Sequence, residues 1–83
     1  MDEDIKIVTI PRNEKSIVRY QTSAQEIMFR LTQHLLSGEF TLYEVVPLGL
    51  IRLGKAKSPT DLEKKFNVYK TLTERSRANE NIV

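Results

Sequence analysis

The sequence predicts an α+β domain in which a mixed sheet wraps one central helix, with elements in the order ββαββα. Three stretches carry that expectation. From Ile17 to Thr22, apolar Val18 and Tyr20 alternate with polar Arg19 and Gln21, the period of a half-buried strand. Ser23 to Glu26 then spells a capping box, followed by apolar residues at helical spacing. Beyond Gly38, Phe40, Leu42, Tyr43, Val45 and Val46 crowd aromatic and β-branched residues into a run with poor helical periodicity, ended by Pro47 and Gly49.

Each element has its own local reason. Asp4 to Ile10 alternates Ile5, Ile7 and Thr9 with Lys6, Val8 and Ile10, and the polar turn Pro11 to Lys15 is of hairpin length. The first strand is therefore expected to lie antiparallel to Ile17–Thr22, with Val18 and Tyr20 facing the core. In the capping box the Ser23 hydroxyl accepts from the Glu26 amide while the Glu26 carboxylate reaches back to the Ser23 amide. The helix is expected over about Ala24–Ser37, with a stripe of Ile27, Met28, Leu31, Leu35 and Leu36 and a stop at Gly38. Leu50, Ile51 and Leu53 suggest a strand that pairs back onto Thr41–Val46 across the Pro47–Gly49 turn.

A second helix starts with Ser58 as N-cap, Pro59 at the first helical position and Asp61 at the positive end of the dipole. Its stripe is Leu62, Phe66, Tyr69 and Leu72. The polar run after Thr73 reads as a fraying end or a loop, and Asn81, Ile82 and Val83 leave room for a short terminal strand. This order of elements is that of the ubiquitin-like β-grasp, with the helix stripe buried against the inward faces of the strands.

Composition narrows the function classes. Eighty-three residues make one small domain, spanning 1–83, with one modest core; it reads either as a whole protein or as a piece of a larger multidomain one. Hydrophobic residues at 40% and charged residues at 29% are ordinary for a globular chain, which argues against wholesale disorder. The absence of cysteine excludes disulfides and thiolate metal sites, and there is no long apolar run, so a cytoplasmic location and no membrane insertion are expected. His34 has neither a nucleophile at fixed spacing nor companion ligands, and the three glycines form no phosphate loop. No enzymatic activity, cofactor or metal is expected.

Two motifs together resemble a known family. Thr22-Ser23-Ala24-Gln25-Glu26-Ile27 with Leu31 and Leu35, followed by Phe40-Thr41-Leu42-Tyr43-Glu44-Val45, is similar to the Ras-association domain, over about residues 5 to 53. The chain departs from that pattern at Gly54-Lys55-Ala56-Lys57-Ser58-Pro59, where the family has an acidic stretch and a further full strand. The resemblance implies binding to the GTP-loaded form of a Ras-family small GTPase, with the second strand pairing edge to edge with the partner. It also implies that basic residues meet an acidic switch region: Lys6 on the first strand, Arg12 and Lys15 in the turn, Arg19 on the second strand and Arg30 on the helix. A strand arginine or lysine is otherwise simply the solvated face.

Two other readings compete. A β-grasp domain can be a scaffold lobe that binds another protein, since fold does not fix function. Alternatively, Leu36-Ser37-Gly38-Glu39-Phe40 with Pro47 resembles the turn in GntR-type regulators. In that reading Pro47–Gly54 is a short helix, and Ser58–Arg77 a recognition helix presenting Lys64, Lys65, Lys70 and Arg75 to DNA phosphates. The net charge of +2 is too small to favour nucleic acid, although residues 41–83 are the basic half.

Overall fold

The computed structural model describes residues 6–22 and 27–82, with 76–82 given by backbone alone. The elements are β1 (Ile7–Val8), β2 (Glu14–Gln21), β3 (Met28–His34), β4 (Phe40–Val46), β5 (Gly49–Ala56), α1 (Pro59–Lys65) and α2 (Val68–Ile82). The fold is α+β, as expected. Its five strands form one antiparallel sheet in the order β1-β5-β4-β3-β2.

The expected ββαββα order, mixed sheet and central helix are corrected by β3. The capping box at 23–26 lies outside the described residues, but Met28–His34, placed in the helix by its stripe, is a strand paired with β2 on one side and β4 on the other. Two periods coexist in this segment. Leu31 and Leu35 fit a helix, while Ile27, Phe29 and Leu31 fit a strand, and all three of the latter are buried. The strand reading prevails because it also buries Phe29, which the helical stripe leaves aside, and because it satisfies the β4 backbone along six register pairs from Met28↔Val45 to Gln33↔Phe40. Leu35 and Leu36 fall in the turn after β3 and are 57% and 90% exposed. Gly38, expected to end a helix, instead takes φ 78° in the turn between two strands.

The first strand also differs from expectation. It is short, and it pairs with β5 (Ile7↔Ile51, Val8↔Leu50) rather than with the second strand. Gly49 makes this possible: a Cβ there would lie 2.7 Å from Ile7 Cγ2, and its φ of 152° disfavours other side chains. The β4–β5 hairpin across Pro47 and Leu48 is as expected, although β5 runs through Gly54 to Ala56. That strand removes the short helix of the helix-turn-helix reading.

Ser58 caps α1 as expected, its hydroxyl accepting from the Asp61 amide at 3.3 Å, with Pro59 in the first turn. The second helix is then interrupted at Phe66 and Asn67, where Asn67 adopts φ 51°, a left-handed conformation that asparagine tolerates. The break re-phases the apolar face. Val68 becomes fully buried and Tyr69 is mostly exposed. α2 continues to Ile82, so Asn81 and Ile82 are helical rather than strand; Val83 lies outside the described residues.

Ile27, Phe29, Leu31, Leu42, Leu62 and Val68 form the core, with Tyr20, Phe40, Leu53, Phe66 and Leu72 packed at its margin. The helices thus cover one face of the sheet. They are tied to its far edge by Glu63 of α1, whose carboxylate accepts from the Tyr20 hydroxyl of β2 and from the Tyr69 hydroxyl of α2 at 3.2 Å. The two rings meet edge to face at 5.7 Å.

The strand reading of residues 28–34 separates two leucines that a helix would bury together. Leu31→Ala is expected to lower unfolding stability by about 2–5 kcal/mol, whereas Leu36→Ala should change it by less than about 0.5 kcal/mol. Urea titrations of both variants check this.

Candidate functional site at an open sheet edge

Residues directly opposite one another in an antiparallel sheet share a face. Leu31 and Leu42 are such a pair beneath the helices. The other face carries a cross-strand row: Arg19 opposite Arg30, Arg30 opposite Tyr43, and Tyr43 opposite Arg52. Because β1 and β2 lie at opposite edges, the connection between them crosses the sheet. Thr9 and Ile10 line a groove with Arg30, Val45, Leu48 and Leu50, and Thr9 and Pro11 line a second one with Lys6, Tyr43 and Arg52. The segment acts as a strap over this face.

Beneath the strap two hydroxyls are satisfied by one carboxylate. Glu14 Oε1 accepts from the Tyr43 hydroxyl at 2.7 Å and from Thr32 Oγ1 at 2.8 Å, and both donors sit on fully buried residues. The bond explains why Glu14, first residue of β2, reaches inward. It also perturbs Tyr43: burial, then the hydrogen bond to Glu14 and its negative charge, push the phenol up to about 12, against smaller opposing contributions from Thr32 and then Arg52. The Tyr20 phenol is raised as well, first by burial and then by Glu63.

The β2 strand closes the sheet order and has no neighbour beyond it among the described residues. Residues Lys15 to Arg19 are all exposed, including Ile17 at 45% and Val18 at 41%. The ladder with β3 slips between Ser16 and Val18, which leaves Ile17 as the extra residue of a bulge. Val18 and Tyr20 do turn to the helix-covered side, but only Tyr20 is drawn into the core margin.

The basic residues singled out in the sequence are distributed unevenly. Lys15 and Arg19 stand on β2, exposed, and Arg12 is exposed in the turn before it. Arg30 lies on β3 rather than on a helix, and its pairing with Arg19 brings the two together. Lys6 is at the opposite edge, beside Arg52. Sequence reasoning missed Arg52, Glu14 and Tyr43 as a set. The alternation Leu50-Ile51-Arg52-Leu53 carried the signal for Arg52, an arginine held on a strand between apolar neighbours.

His34 serves the β3–β4 turn, its Nδ1 accepting from the amides of Leu36 at 3.2 Å and Ser37 at 3.1 Å. That nitrogen is therefore unprotonated and Nε2 carries the proton. Among the described residues, no three of His, Cys, Asp and Glu come close enough to hold a metal ion. No helix is long and apolar enough to cross a membrane. Comparison with protein-family models, curated proteins and solved structures finds no match to this chain.

The raised tyrosines set a pH window. Between pH 10 and 12 the unfolded chain releases the Tyr43 proton while the folded chain retains it, so the folded state binds more protons and stability falls as pH rises. Below pH 10 both states are protonated and this contribution is constant. Denaturant titrations across that range should show the fall, and Tyr43→Phe should make it shallower.

Proposed function

We propose that this domain is a non-catalytic protein-interaction module whose docking element is the free edge of β2. The observation that carries the reading is an eight-residue strand ending the sheet with Ile17, Val18 and Arg19 exposed along it. An edge of this kind offers unpaired amides and carbonyls to an incoming strand, while the exposed side chains select the partner. Natural edges are usually blunted by charge or by a bulge. Here the bulge at Ile17 is present, but it leaves two apolar side chains in solvent rather than hiding them.

The first partner class to try is the GTP-loaded form of a Ras-family GTPase. Two observations support it: Phe40-Thr41-Leu42-Tyr43-Glu44-Val45 lies within a strand, and Arg19, Lys15 and Arg12 are exposed on or beside the edge. The helical part of that likeness does not, since β3 occupies its place. The β-grasp enters the proposal only in its coarse form, a sheet covered on one face by helical segments with a strand edge left free. A scaffold lobe that pairs with an unrelated protein uses the same edge and is the second occupant to test.

The experiment is a titration with a Ras-family GTPase in GTP-analogue and GDP forms, read by hydrogen exchange. Binding of the GTP form that newly protects β2 amides is expected, and Arg19→Glu should abolish it while leaving the folded spectrum unchanged. Binding that ignores the nucleotide removes the GTPase from the proposal. Protection confined to α1 and α2 overturns the edge itself.

A further inference from the structure

Among the described residues, the row formed by Arg19, Arg30 and Arg52 has no side-chain partner. None of the three side chains makes a hydrogen bond or ion pair among the described residues, and Arg30 Nε is buried with no acceptor. Like charges placed directly opposite across two strands are destabilising, and a buried guanidinium N–H without an acceptor costs free energy. Among the described residues the carboxylate on this face is that of Glu14, and it is engaged by Tyr43 and Thr32. Beside Arg30 lies the groove of about 460 Å³, walled by Val8, Val45, Val46, Pro47, Leu48 and Leu50. Leu48 stands 87% exposed at its rim.

We infer that this strap-crossed face receives an acidic peptide segment, its carboxylates set against the arginine row and its apolar side chains in the groove beside Arg30. Charge complementarity selects the occupant. Arginine's planar fork pairs with carboxylates in two parallel hydrogen bonds, and a segment that interleaves acidic and apolar residues matches a surface that interleaves arginines and aliphatics. A nucleic acid strand fits less well, because the only ring in the row, Tyr43, is 2% exposed and offers no surface for a base to stack on. The surface shares Arg19 with the β2 edge but does not need that edge: Arg30 and Arg52 lie on interior strands.

The full ¹⁵N-labelled chain is titrated with a synthetic peptide of glutamates interspersed with leucines, a peptide with lysines in place of the glutamates, and an oligothymidylate. The arginine Nε–Hε resonances are the readout. Those of Arg30 and Arg52 are expected to move with the glutamate peptide, more strongly at low salt, and not with the lysine peptide. Arg52→Gln, at an exposed position that should not affect folding, is expected to weaken binding by about ten-fold, the loss of one charge-assisted contact. Arg30→Gln should do at least as much. Unmoved Arg30 and Arg52 resonances overturn the inference, as does tighter binding of the oligothymidylate than of the glutamate peptide. Shifts confined to β2 amides also overturn it, while leaving the edge reading intact.

Discussion

The structure depends on a constraint set by adjacent residues of its middle strand. Leu42 and Tyr43 point to opposite faces of the sheet, and both are buried, so this short chain must cover its sheet twice. On Leu42's side the cover is apolar and comes from the two C-terminal helices, which bring Leu62 and Val68 onto Leu31 and Phe29. On Tyr43's side no helix remains to be used. The cover is the crossing at residues 9–13, too thin to exclude water along its whole length, and so the face beneath it stays grooved, with arginines beside aliphatic side chains.

That division accounts for the two carboxylate clusters. Glu14 and Glu63 each collect two hydroxyls, and in both cases a residue of β2 takes part: Glu14 itself on one face and Tyr20 on the other. The outermost strand is thus fastened near its two ends on opposite faces of the sheet, Glu14 to Tyr43 of β4 and Tyr20 to Glu63 of α1. The middle of the strand, where Ile17 bulges, is held by neither. Between these two ties the strand is held by its ladder with β3, interrupted only at Ile17, so its outer edge is presented in a fixed position.

Much of the fold was readable from the residues. Ser58 and Pro59 announced α1, Pro47 and Gly49 marked the last hairpin, and the crowd of Phe40, Leu42, Tyr43 and Val45 identified the central strand. Ile27–Leu35 was misread because its apolar residues fit both a helical stripe and a strand alternation, and only the availability of β4 as a partner decides between them. The partner of β1 was equally hidden, since a turn of hairpin length says nothing about a closer fit offered by Gly49 far along the chain. At the candidate site, Arg19 was found by alternation. Its company was not: the Arg30 and Arg52 alignment is a product of register, which no single strand records.

The strap also bears on how the chain reaches this state. The four strands from Glu14 to Ala56 form successive hairpins, each closing a short loop, whereas β1 joins Ile7 to Ile51 across nearly the whole span of the sheet. Loop-closure entropy makes such a distant pairing the slowest to nucleate. On this argument the N-terminal segment is expected to dock onto a meander that has already formed, like a latch thrown after the door is shut.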